Sequence, residues 1–271
     1  MSAAAPLLAP MFWYGLALKI AMTASIVVIA SVIVERSGPL VGALIASLPT
    51  AGGAAMIILA VEHPPEFIAA SVVGSIVSNG ICAVFALTYA ALAQRKSLLV
   101  SIGGAFLVWF CLVGLSRLVD WNVATVVLLN AIVFPVTIFL GTRFRSEGVV
   151  RRVTLSGADL AWRAGVVTLC VIVVTAASGS IGSYFSGIFA FFPVAMGSFF
   201  VILHPRVGGP AAASVAAHVQ APLIGLSLGL FVVHYLAVPV GVWWSYAIGL
   251  SIGMSWNASL WLLSSRRKRA A

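Results

Sequence analysis

Long apolar runs separated by short polar clusters fill the chain from end to end. Nine can be read, at 11–34, 38–61, 67–92, 98–118, 123–141, 160–177, 184–203, 210–238 and 239–263. Each is continuously apolar and close to the about 20 residues that carry a helix across a 30 Å hydrocarbon core. Membrane strands would alternate polar and apolar positions over about ten residues. In lipid only helices or closed barrels satisfy every backbone group. The pattern predicts an all-α, polytopic membrane helical bundle of about nine transmembrane spans.

The polar clusters between runs orient this bundle. Arg36 lies between spans 1 and 2, and Arg95 and Lys96 lie between spans 3 and 4. Arg143, Arg145, Arg151 and Arg152 lie between spans 5 and 6, Arg206 follows span 7, and Arg266, Arg267, Lys268 and Arg269 follow span 9. With nine spans all of them share one side. The other side has Arg117 next to Asp120 and almost no further basic residue. The positive-inside rule then puts the N-terminus outside and the C-terminus in the cytoplasm. The expected location is the bacterial inner (cytoplasmic) membrane. Trp13, Trp121, Trp162, Trp243 and Trp261 fall near span ends, as interfacial anchors do.

The chain also repeats itself at a spacing of about 144 residues. Pro49-Thr50-Ala51-Gly52-Gly53 matches Pro193-Val194-Ala195-Met196-Gly197 as P-x-A-x-G. At the same offset Gly38 matches Gly182, Ala46 matches Ala190 and Lys19 matches Arg163. One residue out of register, the Ala-Ala-Ser-Val at 69–72 matches that at 212–215, which pairs Ser75 with His218. Phe85 and Tyr89 match Phe231 and Tyr235 after a short insertion. Spans 1–4 therefore correspond to spans 6–9, with span 5 as a linker. An offset of five spans is odd, so the halves face opposite ways, the inverted-repeat plan of many secondary transporters. The expected division is an external tail at 1–10, repeat 1 at 11–118, a linker span and cytoplasmic loop at 119–158, repeat 2 at 159–264 and a basic tail at 265–271. The likeness to inverted-repeat transporters is architectural and implies no substrate.

Composition agrees with the pattern. Apolar residues make up 62% of the chain and charged residues 8%, against roughly 45–50% and 25% in soluble domains. The mean hydropathy is +1.15. A net charge of +9 would suggest nucleic acid in a soluble protein. Here the cations sit between spans, so membrane lipid is the expected partner and nucleic acid is not. Residues 1–10 have no Lys or Arg, hence no basic region of a cleavable signal, and the first run is expected to be a retained helix. Cys82, Cys111 and Cys170 fall inside apolar runs without metal-ligand spacing.

Candidate chemistry is concentrated at two prolines. Pro49 and Pro193 each fall near the middle of a run, where proline disturbs the preceding helical turn. A helix split there frees N–H groups with a partial positive charge suited to an anion. Two such ends meeting at the midplane would form a binding site. The expected solute-binding residues are Pro49, Thr50, Gly52, Gly53, Asn79, Pro193, Gly197, Ser198, His218 and Gln220. Lys19 and Arg163 are the expected pathway charges, unless they snorkel to an interface. Asn130, Asn257 and His234 are further polar positions, and interhelical hydrogen bonding is their plainer role. All six carboxylates lie at or near span ends, which disfavours coupling through an acidic residue. No catalytic constellation, metal cluster or cofactor fingerprint is present in the sequence. The function expected is therefore transport, not enzymatic. It is alternating-access movement of a small anionic or zwitterionic solute, without a cofactor, by a chain that could form a homodimer. The other reading is a non-transporting membrane subunit or lipid-handling protein.

Overall fold

The computed structural model describes residues 50–145 and 156–270, together with positions 14, 17, 20–25, 28 and 29. The described residues are helical throughout, without strands. Helix α1 runs Thr50–Glu62, α2 Pro65–Ala93, α3 Leu98–Ser116, α4 Val123–Gly141, α5 Gly157–Ala190, α6 Val194–Val207, α7 Gly209–His218, α8 Gln220–Leu236 and α9 Val242–Ala270. A 3-10 turn, Thr142–Phe144, closes α4. The described positions between 14 and 29 are also helical. Five stretches are long and apolar enough to cross a bilayer: Pro65–Ala93, Leu98–Ser116, Val123–Phe144, Gly157–Val207 and Gly209–Leu236. This is the fold of a helical integral membrane protein.

Local chemistry places the helix ends. Pro64 and Pro65 open α2, where a missing N–H costs nothing. Asn122 opens α4 through a capping box with Thr125, and Ser156 opens α5 through one with Asp159. Gly208, at φ +84°, separates α6 from α7, and Gly241, at φ +95°, precedes α9. Both need the left-handed region that glycine enters freely. Helix α9 does not stop at residue 263. It continues through the basic run to Ala270, because nothing there breaks a helix.

Expected spans 6 and 7 have a different internal shape. Helix α5 continues past residue 177 to a kink at Gly182, at φ +76° and ψ 171°. It resumes to Ala190, and the chain unwinds at 191–193 before α6. Helix α6 then folds back along the start of α5. Arg206 pairs with Asp159, and the Arg163 guanidinium lies 5.4 Å from the Phe199 ring centre. Expected span 8 bends at Val219 into α7 and α8.

Helix α2 is the centre of the bundle and packs on α3, α4, α5, α7 and α8. Ile68, Val72, Ile76, Phe85 and Tyr89 along it are fully buried or nearly so. It runs antiparallel to the α7–α8 stretch. Ala93 abuts Gly209, Asn79 bonds the Leu223 carbonyl, and the Ala69 carbonyl bonds His234. Beside the last part of α5 it runs so close that a Cβ on Gly74 or Gly187 would overlap a backbone carbonyl of the other helix. The outer faces are apolar: Leu107, Phe110, Leu128, Phe139, Leu169 and Trp244 are each more than half exposed. Such a surface suits lipid, not water.

Candidate functional site

The unwound segment between α5 and α6 is held by α2. Pro193 is buried at φ −74° and ψ 38°, outside helical geometry. Ser78 donates to the Phe191 carbonyl at 3.2 Å, and the Cys82 thiol donates to the same oxygen at 3.3 Å. Ser75 donates to the Gly187 carbonyl at 3.2 Å. These hydroxyls supply partners for carbonyls that a break leaves without helical donors. On the α6 side, the Val194 N–H donates to Phe192 O at 2.7 Å and the Gly197 N–H to Pro193 O at 2.8 Å. Part of the expected N–H cradle is thus already occupied.

The described part of helix α1, from Thr50, lies beside this break, and a Cβ on Gly52 would lie 2.7 Å from the Phe191 ring. Gly53 has open space where a side chain would be. Gly197, its counterpart, is instead packed against Phe106 and Ile102. Ser198 is buried and donates to Ala195 O within its own helix, at 3.0 Å. Pro49 and Lys19 lie outside the described residues.

The other expected site residues do not join that space. Asn79 donates to Leu223 O and to the Ser227 hydroxyl, each at 2.8 Å. Ser227 in turn donates to Asn130 Oδ1 at 3.1 Å, and Asn130 donates to Val126 O at 2.9 Å. This buried ladder ties α2, α4 and α8 together. Gln220 is fully buried and donates to Ala83 O at 3.0 Å, while its Oε1 has no partner. His218 is exposed, with Nδ1 2.7 Å from Ser214 O of its own helix.

Two cations differ in their surroundings. Arg163 is buried, with no hydrogen-bond partner for Nε or Nη1 among the described residues, and its guanidinium lies over the Phe199 ring. Arg145, past the end of α4, is half-buried and donates to Ala217 O at 3.4 Å. Burial pulls its guanidinium below the ordinary arginine value.

A cavity of about 170 Å³ opens between α1, α8, α9 and the α5–α6 break. Gly53, Met56 and Ile57 line it from α1, Phe191 from the break, and Leu230 and Leu250 from α8 and α9. Its polar groups are the Tyr246 hydroxyl, which donates to Met56 O at 3.0 Å, and the Asn257 amide. Asn257 is 9% exposed, and its Oδ1 is sealed without a partner.

Of the expected site residues Gly53 lines this space and Pro193 does not, while Phe191, Tyr246 and the glycines beside them were not among those expected. A signal was available: Gly225-x-x-x-Gly229 and Gly249-x-x-x-Gly253 are paired small-residue motifs. They face each other where α8 meets α9, with Gly229 against the Gly249 carbonyl and Gly253 against that of Gly225. Among the described residues no group of three His, Cys, Asp or Glu could hold a metal. Comparison with protein families, curated proteins and solved structures finds no match.

Proposed function

We propose that the chain is a secondary transporter of the inner membrane that moves a small solute by alternating access. Its plan is nine spans in two inverted repeats, with the N-terminus outside and the C-terminus in the cytoplasm. The observation that carries this reading is the cavity beside the broken helix, lined by α1 of the first half and by α8 and α9 of the second. A space walled by both halves is where relative motion of the halves would change access.

The repeat has support from the helix starts: Pro65 and Gly209, and Leu98 and Val242, are each separated by 144 residues (209 − 65, 242 − 98). The inversion has support from direction. Helix α2 and its counterpart α7–α8 are antiparallel, and an axis along the membrane normal would make them parallel. Asn79 and Leu223, also 144 apart, bond to each other, as counterparts beside a two-fold axis do. The count of nine has support from Gly157–Val207. Its 51 residues would span about 77 Å if straight, more than twice the hydrocarbon core, and the chain folds back on itself there.

The solute's charge has less support than its size. Among the described residues the cavity walls carry no cation, and Arg163 faces Phe199 instead. The walls favour a solute with an apolar body. Vesicles reconstituted with the full chain should accumulate at least one solute from a panel of organic acids, amino acids, inorganic anions and small neutral aromatics. Gly53→Leu should abolish that flux, because Leu enters the open space without meeting backbone. Absence of protein-dependent flux across the whole panel, or unchanged flux in the variant, refutes the reading.

A further inference from the structure

We propose that α6 is a hinged segment latched to the start of α5, with Asp159 as the switch: it pairs with Arg206 while α6 is docked and with Arg163 once α6 leaves. The inference goes beyond the transport reading, and its test needs no solute.

The segment is jointed at both ends. Before it the chain unwinds at 191–193, with Pro193 at φ −74° and ψ 38°. After it Gly208 takes φ +84°, a conformation that glycine enters freely. Two non-helical joints around 14 helical residues allow the segment to move as a rod. Near the first joint Gly197 packs on Phe106 and Ile102 of α3, so displacement is greatest at the Arg206 end.

The contacts of α6 divide by face. Phe200 and His204, one turn apart, hold Tyr89 of α2. The Phe200 and Tyr89 rings stack at 4.1 Å between centres, and His204 Nδ1 lies 2.9 Å from the Tyr89 hydroxyl. Phe199 and Arg206, two turns apart, hold Arg163 and Asp159 of α5. These faces lie about 100° apart around the helix. A roll of α6 therefore releases α5 and keeps Tyr89.

Charge gives the α5 contact two states. Arg163 is 5% exposed, Nε and Nη1 have no acceptor among the described residues, and the Phe199 ring centre lies 5.4 Å from its guanidinium. A ring face attracts a cation weakly, and a buried charge without a counter-charge is unfavourable. Asp159 is one turn earlier on the same side of α5, with the acid first, the better order for an i, i+4 pair. Its Oδ2 accepts from Arg206 Nη2 and from the N–H and hydroxyl of Ser156, and Oδ1 takes part in none of these bonds. The Arg206 pair and the Phe199 ring both come from α6. When α6 leaves, Oδ2 keeps its bonds to Ser156 and Oδ1 accepts from Arg163. Arg206 is the easier cation to release, because its side chain is already 36% exposed. Asp159 has a cation in either position of α6, which makes the element bistable.

Hydrogen–deuterium exchange of the purified full chain in lipid nanodiscs, read by mass spectrometry, measures how often α6 opens. Arg163→Gln should slow exchange over 194–207 roughly fivefold, because it removes the uncompensated charge of the docked state and the second partner of Asp159. Arg163→Lys keeps the charge and should exchange as the wild type does. Arg206→Gln should speed exchange by a similar factor. Size exclusion checks that each variant folds; Arg163→Met and Asp159→Asn replace the glutamine variants at 163 and 206 if those do not. A purely structural Arg163, holding α6 through Phe199, predicts faster exchange on its removal. The inference is overturned by faster or unchanged exchange in Arg163→Gln, or by Arg163→Lys behaving as Arg163→Gln does. It is also overturned by an Arg206 variant as protected as wild type, or by changes spread equally over α2. Solute flux bears on the transport reading alone.

Discussion

Inside a bilayer an amide side chain has no water to fall back on, and Asn79 shows how the chain answers this. Both of its shown bonds go to α8, and Ser227 passes the connection on to Asn130 of α4. Replacing Asn79 by Leu leaves the Leu223 carbonyl and the Ser227 hydroxyl without that donor. An unmet buried group costs about 1–3 kcal/mol. Thermal unfolding in detergent should show Asn79→Leu clearly destabilised and His218→Ala near wild type, because His218 is exposed and bonds only its own helix. The reverse order would show that the ladder is not structural. Asn79 and Asn130 stand out in the sequence as amides inside apolar runs. Their partner Ser227 does not, because serine is common in these helices and usually bonds its own preceding turn. Ser251, Ser255 and Ser259 do so on one face of α9.

At the scale of elements, close backbone approach decides the packing. Helices α2 and α5 touch at Gly74 and Gly187, and any side chain there strikes main chain of the neighbour. Gly187→Leu should therefore abolish recovery of folded protein, measured as the monodisperse fraction after solubilisation. Gly103→Leu, with open space at its Cβ, should not. Equal recovery would mean that the helices do not meet there. Element ends were legible where chemistry marks them. The expected span at 123–141 coincides with α4, which a capping box opens. The kink at Gly182 falls in the gap expected between the spans at 160–177 and 184–203, while the choice of that glycine was not legible, because only packing selects which residue of this serine- and glycine-rich stretch takes a positive φ.

For the whole molecule, charge and direction make the sharpest test. A reporter fused after Arg269 should be cytoplasmic and one fused before Trp13 external, read by paired reporters active on opposite sides of the membrane. Both ends on one side would remove the nine-span inverted plan. Packing differs between the two glycines that the sequence repeat pairs: the Phe106 ring covers Gly197, and the space at Gly53 is open.

Hydrophobic patterning by itself determined that this chain is a helical membrane protein, where several of its described helices start and stop, and that one run is broken at Pro193, its expected counterpart Pro49 lying outside the described residues. Those properties are local: lipid requires internally bonded backbone, and apolar run length, caps and prolines are written along the chain. Only the tertiary structure decided that α2 is the central helix, that its hydroxyls bond the unwound carbonyls, that Asn79 serves a ladder, and that the open space is walled by carbon with one orphaned amide. Each of these depends on contacts between residues about a hundred or more positions apart, or on the void left beside Gly53. In a chain so uniformly apolar, many pairings would bury similar area. Close approach at a few glycines and hydrogen bonding of a few polar groups select among them.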